Sequence, residues 1–291
     1  MLYRGMDRKT LDAAYNNGAA VGIERRDRYL AEWTARTRSL AAGVKARLDL
    51  RYGDGARHRI DFFPCGRAER PTLAFIHGGY WQMSDKENYG CIAAGPLARF
   101  VNVAMIEYTL APAIRMDGIV AEIKAALAWL RFRLGELGAA RSGLVVAGHS
   151  AGGHLAAMVM GEPGVTGVLP ISGLYDLEPI RLGALNDKVG LDEAEAQRNS
   201  PIAHIPAMAP PSVIAVGGAE LPELRRQSAD YHAACVARGL ASRLLVLDGH
   251  DHFSVLEALA QPEGKLTAAL LDLVAASAAG IDTPRSPPPT R

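Results

Sequence analysis

The sequence predicts an α/β fold with a mostly parallel central sheet, helices on both of its faces and a small lid insertion. Three observations carry that prediction. Short apolar runs of strand length alternate with helical stretches through most of the chain, the pattern that buries a parallel sheet between two helical layers. A strand-type run at Leu144–Ala147 enters a G-x-S-x-G pentad at Gly148–Gly152, and a small-residue helical run leaves it. The 291 residues are 49% hydrophobic and 22% charged, enough for one large domain with a buried core.

Residues 1–45 read as an N-terminal helical arm. Tyr15-Asn16-Asn17-Gly18 breaks a first helix, and the stretch from Ile23 to about Leu40 forms a second. Such an arm packs over the mouth of a site or covers a sheet edge. Its basic cluster (Arg25, Arg26, Arg28, Arg36, Arg38) is interleaved with Glu24, Asp27 and Glu32, which describes a solvated helix face. The main domain spans 46–280. Alternation from Val44 to Phe63 about Gly53-Asp54-Gly55 predicts an antiparallel hairpin. A buried strand follows at Thr72–Ile76 and ends at His77-Gly78-Gly79-Tyr80-Trp81. Further strands are expected at Val101–Ile106, Val165–Ile171, Ser212–Val216 and Ser242–Leu247. Helices are expected at Ile119–Leu134, with Trp129 in its apolar stripe, at Leu224–Arg238, and at Leu256–Ala276 as the closing element. The stretch at about 175–205 departs from this rhythm, carries Pro179 and Pro201, and is the lid-like insertion. Residues 281–291 hold Pro284, Pro287, Pro288 and Pro289 and are expected to form a disordered tail.

Composition narrows the function classes. With 32 basic and 31 acidic residues, a net charge of +1 provides no electrostatic reason to expect nucleic acid or an anionic membrane as partner. Three scattered cysteines, Cys65, Cys91 and Cys235, fit neither a zinc site nor a disulfide framework and agree with a reducing cytoplasm. No run approaches the ~20 apolar residues that span a bilayer. No metal or other cofactor is expected, and a homodimer is compatible with the sequence. The expected partner is a small-molecule substrate.

The pentad makes Ser150 the candidate nucleophile, because a sharp strand-to-helix turn lifts its hydroxyl clear of the backbone. A serine hydroxyl needs a base. Among eight histidines, His252 in Gly249-His250-Asp251-His252-Phe253 is favoured over His250, since it immediately precedes the apolar start of the last helix. That loop follows the last expected strand, at the sheet end where such sites form. A metal site on His250, Asp251 and His252 is the weaker rival, because no further ligand cluster accompanies them. The base needs a carboxylate partner. Glu220, after the strand Ser212–Val216, is chosen over Glu223, which suits the start of the next helix, and over Asp176, Asp248 and Asp251. Amides around Gly78, Gly79, Tyr80 and Ala151 are the candidate oxyanion hole. His77 is expected to order that loop by hydrogen bonds. Tyr80 and Trp81 are the candidate aromatic wall for substrate, packing under the loop being their alternative role.

These residues resemble the α/β-hydrolase superfamily, and more narrowly the kynurenine formamidase (arylformamidase) group of hormone-sensitive-lipase-like hydrolases. Phe75-Ile76-His77-Gly78-Gly79-Tyr80-Trp81-Gln82 is similar to that group's H-G-G-x-W, and the elbow Gly148–Leu155 to theirs. So are Ser172-Gly173-Leu174-Tyr175-Asp176-Leu177, Ser200-Pro201, the acid loop Glu220–Ser228 and the histidine loop Gly249–Phe253. The likeness runs from about residue 70 to 260. Glu220 stands where the group usually has aspartate. The resemblance implies hydrolysis of an aryl formamide such as N-formyl-kynurenine, to kynurenine and formate, through an acyl-enzyme on Ser150. A broad carboxylesterase acting on short acyl esters is the alternative. A non-catalytic small-molecule binding protein on the same scaffold is a third reading, against which the intact serine and histidine argue.

Overall fold

The computed structural model describes residues 1–279, so the expected tail at 281–291 lies outside the described residues. Eight strands form one sheet: β1 (Arg47–Arg51), β2 (Arg59–Phe63), β3 (Thr72–Ile76), β4 (Asn102–Ile106), β5 (Leu144–His149), β6 (Val165–Ile171), β7 (Ser212–Gly217) and β8 (Ser242–Leu247). Their order is β1-β2-β4-β3-β5-β6-β7-β8. The expected hairpin pairs antiparallel and joins the sheet through an antiparallel β2–β4 ladder; every other pairing is parallel. This arrangement matches the α/β-hydrolase fold that the resemblance implies.

Successive side chains of a strand face opposite layers, and the sheet divides accordingly. Ala74, Ile76, Ala104, Ile106 and Val146 enter one core; Leu73, Phe75, Val103, Met105 and Val145 enter the other. Both faces being covered, the central strands read as unbroken apolar runs.

The helices are α1 (Arg8–Ala14), α2 (Asn17–Val21), α3 (Ile23–Gly43), α4 (Lys86–Tyr89), α5 (Ala94–Ala98), α6 (Met116–Arg133), α7 (Ala151–Met158), α8 (Glu178–Leu182), α9 (Asn186–Val189), α10 (Glu193–Arg198), α11 (Pro222–Ala237), α12 (Glu257–Ala260) and α13 (Lys265–Ala279). Helices α6, α7 and α11 cover one face through Ile123, Leu155 and Tyr231; α3 and α13 cover the other through Trp33 and Leu270. Between β6 and β7, α8 to α10 are the short helical pieces anticipated at about 175–205. Among the described residues no helix is long and apolar enough to cross a membrane.

Four expectations change. Asn16 does more than break a helix: its side chain accepts from the Ala19 N–H and starts α2, the ordinary work of an N-cap. The closing helix is two helices. Pro262 cannot continue α12 and forces Gln261 into extended backbone, and α13 restarts at Lys265. Helices α4 and α5, joined by a 3-10 turn at Gly90–Ala93, escaped sequence reasoning because glycine and proline interrupt their pattern. Trp129 is half-buried rather than core, its ring lying 5.8 Å from the Arg133 guanidinium.

Candidate active site

Strand β5 delivers Ser150 at the end of the sheet in a strained conformation, φ 57° and ψ −118°, the kind of outlier that clusters at functional sites. The glycines of the pentad are there for close approach. A Cβ on Gly148 would stand 2.1 Å from the Gly152 carbonyl oxygen, and one on Gly152 would stand 2.0 Å from that of Ile76. Helix α7 can therefore leave the turn tight against β5 and β3 only if both lack side chains.

Two loops bring the other candidates to this point. Glu220 Oε2 lies 2.6 Å from His252 Nδ1, and both side chains are buried, Glu220 at 5% exposure and His252 at 5%. The second Glu220 oxygen accepts from the Gly217 N–H at 2.7 Å and from the Ser172 hydroxyl at 2.5 Å. A carboxylate held at three points fixes the tautomer: Nδ1 carries the proton and Nε2 presents its lone pair. The His252 carbonyl accepts from His149 Nε2 at 2.7 Å, which anchors the histidine loop onto the elbow. Burial holds the His149 ring far below the usual histidine range, with the neighbouring His252 adding to it, so it stays neutral.

Ser150, His149 and His252 line one cavity of about 580 Å³ together with Gly79 and Tyr80. The Gly79, Tyr80 and Ala151 amides donate to no protein acceptor among the described residues, as free oxyanion donors must. Gly79 has φ +113°, and a Cβ there would meet the Met83 carbonyl oxygen at 2.2 Å; no other residue fits this turn. His77 orders the loop as expected, its ring bridging the Gly78 carbonyl at 2.8 Å and Glu107 Oε1 at 3.0 Å. Burial acts to raise the Glu107 carboxyl, but His77, the Lys86 amide and Arg57 outweigh it and hold it below the usual carboxylate range.

The rivals point elsewhere. The His250 ring bonds the Ser254 carbonyl, Glu223 pairs with Arg226, and Asp176 accepts from the Tyr3 hydroxyl. Asp251 accepts from the Phe253 and Ser254 amides and meets Arg25, so it shapes the loop. Among the described residues no group of histidine, cysteine and acidic side chains is arranged to hold a metal.

Trp81 requires a correction. It is fully buried, donates its indole N–H to His154 Nδ1 at 3.2 Å, and is absent from the cavity wall. A large ring after the tight turn packs inward, so Trp81 supports the loop, while Tyr80 alone of the pair faces the cavity. Sequence reasoning also missed three residues. Ser172 follows a strand at the same sheet end as Ser150, and His149 sits inside the pentad; both positions were readable signals. Asn17 lines the cavity from the arm and lies 3.3 Å from His252 Nε2. Nothing local announces it, since its partner is 235 residues away.

Comparisons with known proteins agree in outline. The BD-FAE family model matches residues 62–166. The kynurenine formamidase of Salmo salar is 33% identical over 85% of this chain and 87% of its own. That of Danio rerio is 30% identical over 84% and 86%. A solved Silicibacter protein, provisionally described as a thioesterase, is 33% identical with a TM-score of 0.81, covering 90% of this chain and 98% of that one. The esterase of Pyrobaculum calidifontis, 20% identical, shares the fold at a TM-score of 0.70 over 95% and 98%.

Proposed function

The chain belongs to the kynurenine formamidase family, and from that premise we propose that it hydrolyses an aryl formamide such as N-formyl-kynurenine at the Ser150 cavity. In this reading Ser150 Oγ attacks the formyl carbon while His252 Nε2 takes its proton, and Glu220 stabilises the imidazolium that forms. The oxyanion rests on amides near Gly79, Tyr80 and Ala151. The C–N bond then breaks as His252 returns the proton to nitrogen, releasing the aryl amine. Water, activated by the same base, cleaves the formyl ester on Ser150 and releases formate.

The observation that carries the reading is the 2.6 Å pairing of Glu220 with His252 beside a serine held in elbow geometry on the same cavity wall. The substrate class draws support from the lining. Besides its two histidines, the charged side chains of the lining among the described residues are Asp12 and Arg26, one of each sign, which complements a zwitterionic amino-acid headgroup; Arg26 also holds Asp27 through Nε and Nη2. A formyl group needs little acyl room, and an aniline leaves more readily than an alkyl amine. The carboxylesterase alternative is favoured by an esterase relative, LipC of Mycobacterium tuberculosis, 31% identical over 47% of the chain.

Measuring kcat/KM for N-formyl-kynurenine beside p-nitrophenyl acetate and butyrate separates the two. Formamide turnover at or above the ester rates is the expected result; ester turnover with negligible formamide turnover removes the formamidase reading. A fluorophosphonate should label the native protein and spare Ser150→Ala. Absence of labelling removes the enzyme altogether.

A further inference from the structure

We propose that Asn17, carried by the N-terminal arm, selects substrates whose leaving atom bears an N–H; this rests on the formamidase reading above. Asn17 is 3% exposed. Its Nδ2 donates to the Tyr80 hydroxyl at 3.1 Å and lies 3.3 Å from His252 Nε2. The Tyr80 hydroxyl directs its own proton to the Tyr15 carbonyl at 2.6 Å, so the Asn17 atom facing it has to be a donor. That fixes which way the amide points.

Two consequences follow from this orientation. The lone pair of the base is engaged by Asn17 Nδ2, and at the other end of the amide Oδ1 is buried with no hydrogen-bond partner among the described residues. An orphaned buried acceptor is unfavourable and calls for a reason. Both features are resolved by one event. The leaving atom of a substrate has to come within hydrogen-bond reach of Nε2, where Asn17 Nδ2 now stands. Its arrival displaces the amide from Nε2 and from the Tyr80 hydroxyl together, and once the Tyr80 bond that fixed its orientation is given up the amide turns Oδ1 toward the leaving atom. An anilide N–H supplies the partner that Oδ1 lacks. An ester oxygen, an acceptor only, sets two acceptors against each other. Sites built to bond an N–H reject analogues without it because their own polar group stays unpaired. The N–H proton remains on nitrogen throughout; the second proton of the departing amine is the one His252 took from Ser150.

The test uses three matched substrates, formanilide, N-methylformanilide and phenyl formate, with the wild-type protein, Asn17→Ala and Asn17→Asp. In wild type, N-methylation should lower kcat/KM on the order of tenfold or more, and Asn17→Ala should remove most of that penalty. The ratio of kcat/KM for formanilide to that for phenyl formate should fall about tenfold in Asn17→Ala and stay closer to wild type in Asn17→Asp, which keeps an acceptor. A ratio unchanged in Asn17→Ala, whether both rates drop together or neither does, overturns the inference. Should Asn17→Ala not fold, as judged by its melting curve, the wild-type comparison still decides, because no N-methyl penalty is fatal on its own. A wild-type enzyme that cleaves the ester and no formamide removes the formamidase reading itself, a result distinct from an unchanged ratio.

Discussion

At the scale of single residues, Glu220 shows why a glutamate serves here. The longer side chain lets one oxygen stay on the Gly217 amide and the Ser172 hydroxyl while the other reaches His252. Glu220→Gln keeps the shape but sets an NH₂ against Nδ1. The imidazole must then accept at Nδ1 and carry its proton on Nε2, the wrong tautomer for taking one from Ser150. We expect kcat/KM to fall about 10⁴-fold with the melting temperature little changed; a loss under about tenfold would assign the carboxylate elsewhere. Arg26→Ala should raise KM for N-formyl-kynurenine several-fold and leave that for p-nitrophenyl acetate unaltered, because only the first carries a carboxylate for Arg26 to meet. Steady-state kinetics on both substrates checks it. The candidates Ser150, His252 and Glu220 could be named from the sequence because each follows a strand at one sheet end, and the structure pairs Glu220 with His252 beside a cavity that Ser150 also lines. Asn17 was not, because its role exists only once the arm has folded across the cavity, and Trp81 misled because an aromatic beside a site is equally suited to packing.

At the scale of elements, the strands were legible nearly to the residue. The apolar runs of β3, β4, β5 and β7 are bounded by turns and buried on both faces, which leaves little room for slippage, whereas β1 is largely exposed and pairs with β2 through a register shift. Helix ends were less so, and α4 and α5 were missed, since capping by Asp85 and packing against α3 decide α4, and packing against α12 and β4 decides α5, rather than periodicity. The elbow offers a test of whether close backbone approach dictates sequence. A Cβ at Gly152 meets two fixed carbonyls, those of Ile76 at 2.0 Å and His77 at 2.6 Å, and neither can yield as a side chain would. Gly152→Ala should cost about 3 kcal/mol, read as a fall in melting temperature. Gly43, at the end of α3, has nothing within 4 Å of its would-be Cβ, so Gly43→Ala should be neutral or stabilise by about 0.5 kcal/mol. Equal melting temperatures for the two variants would refute the packing argument.

At the scale of the whole molecule, burying neutral histidines ties the fold to pH. The His154 ring is enclosed between the Trp81 indole N–H, which it accepts at 3.2 Å, and the Asn199 carbonyl, to which it donates at 2.7 Å. Burial lowers its pKa to about 4, the Asn199 contact opposing that only in part, and burial lowers His149 as well. Both rings therefore bind a proton more readily in the unfolded chain, at about 6.5, than in the folded one. Below that pH the unfolded state takes up protons that the folded state refuses, so stability present at neutral pH is lost as pH falls from about 6.5 toward 4. The slope reaches at most about 1.4 kcal/mol per pH unit for each ring, or about 3 kcal/mol across the window for His154. Glu107, held below its usual range, adds a loss of the same sign at the acid end. Urea midpoints between pH 7 and 4.5 should fall steadily in wild type and more gently in His154→Gln, which has no proton to gain. Parallel slopes would mean that the ring titrates alike in both states, and that the enclosure between Trp81 and Asn199 does not govern its charge.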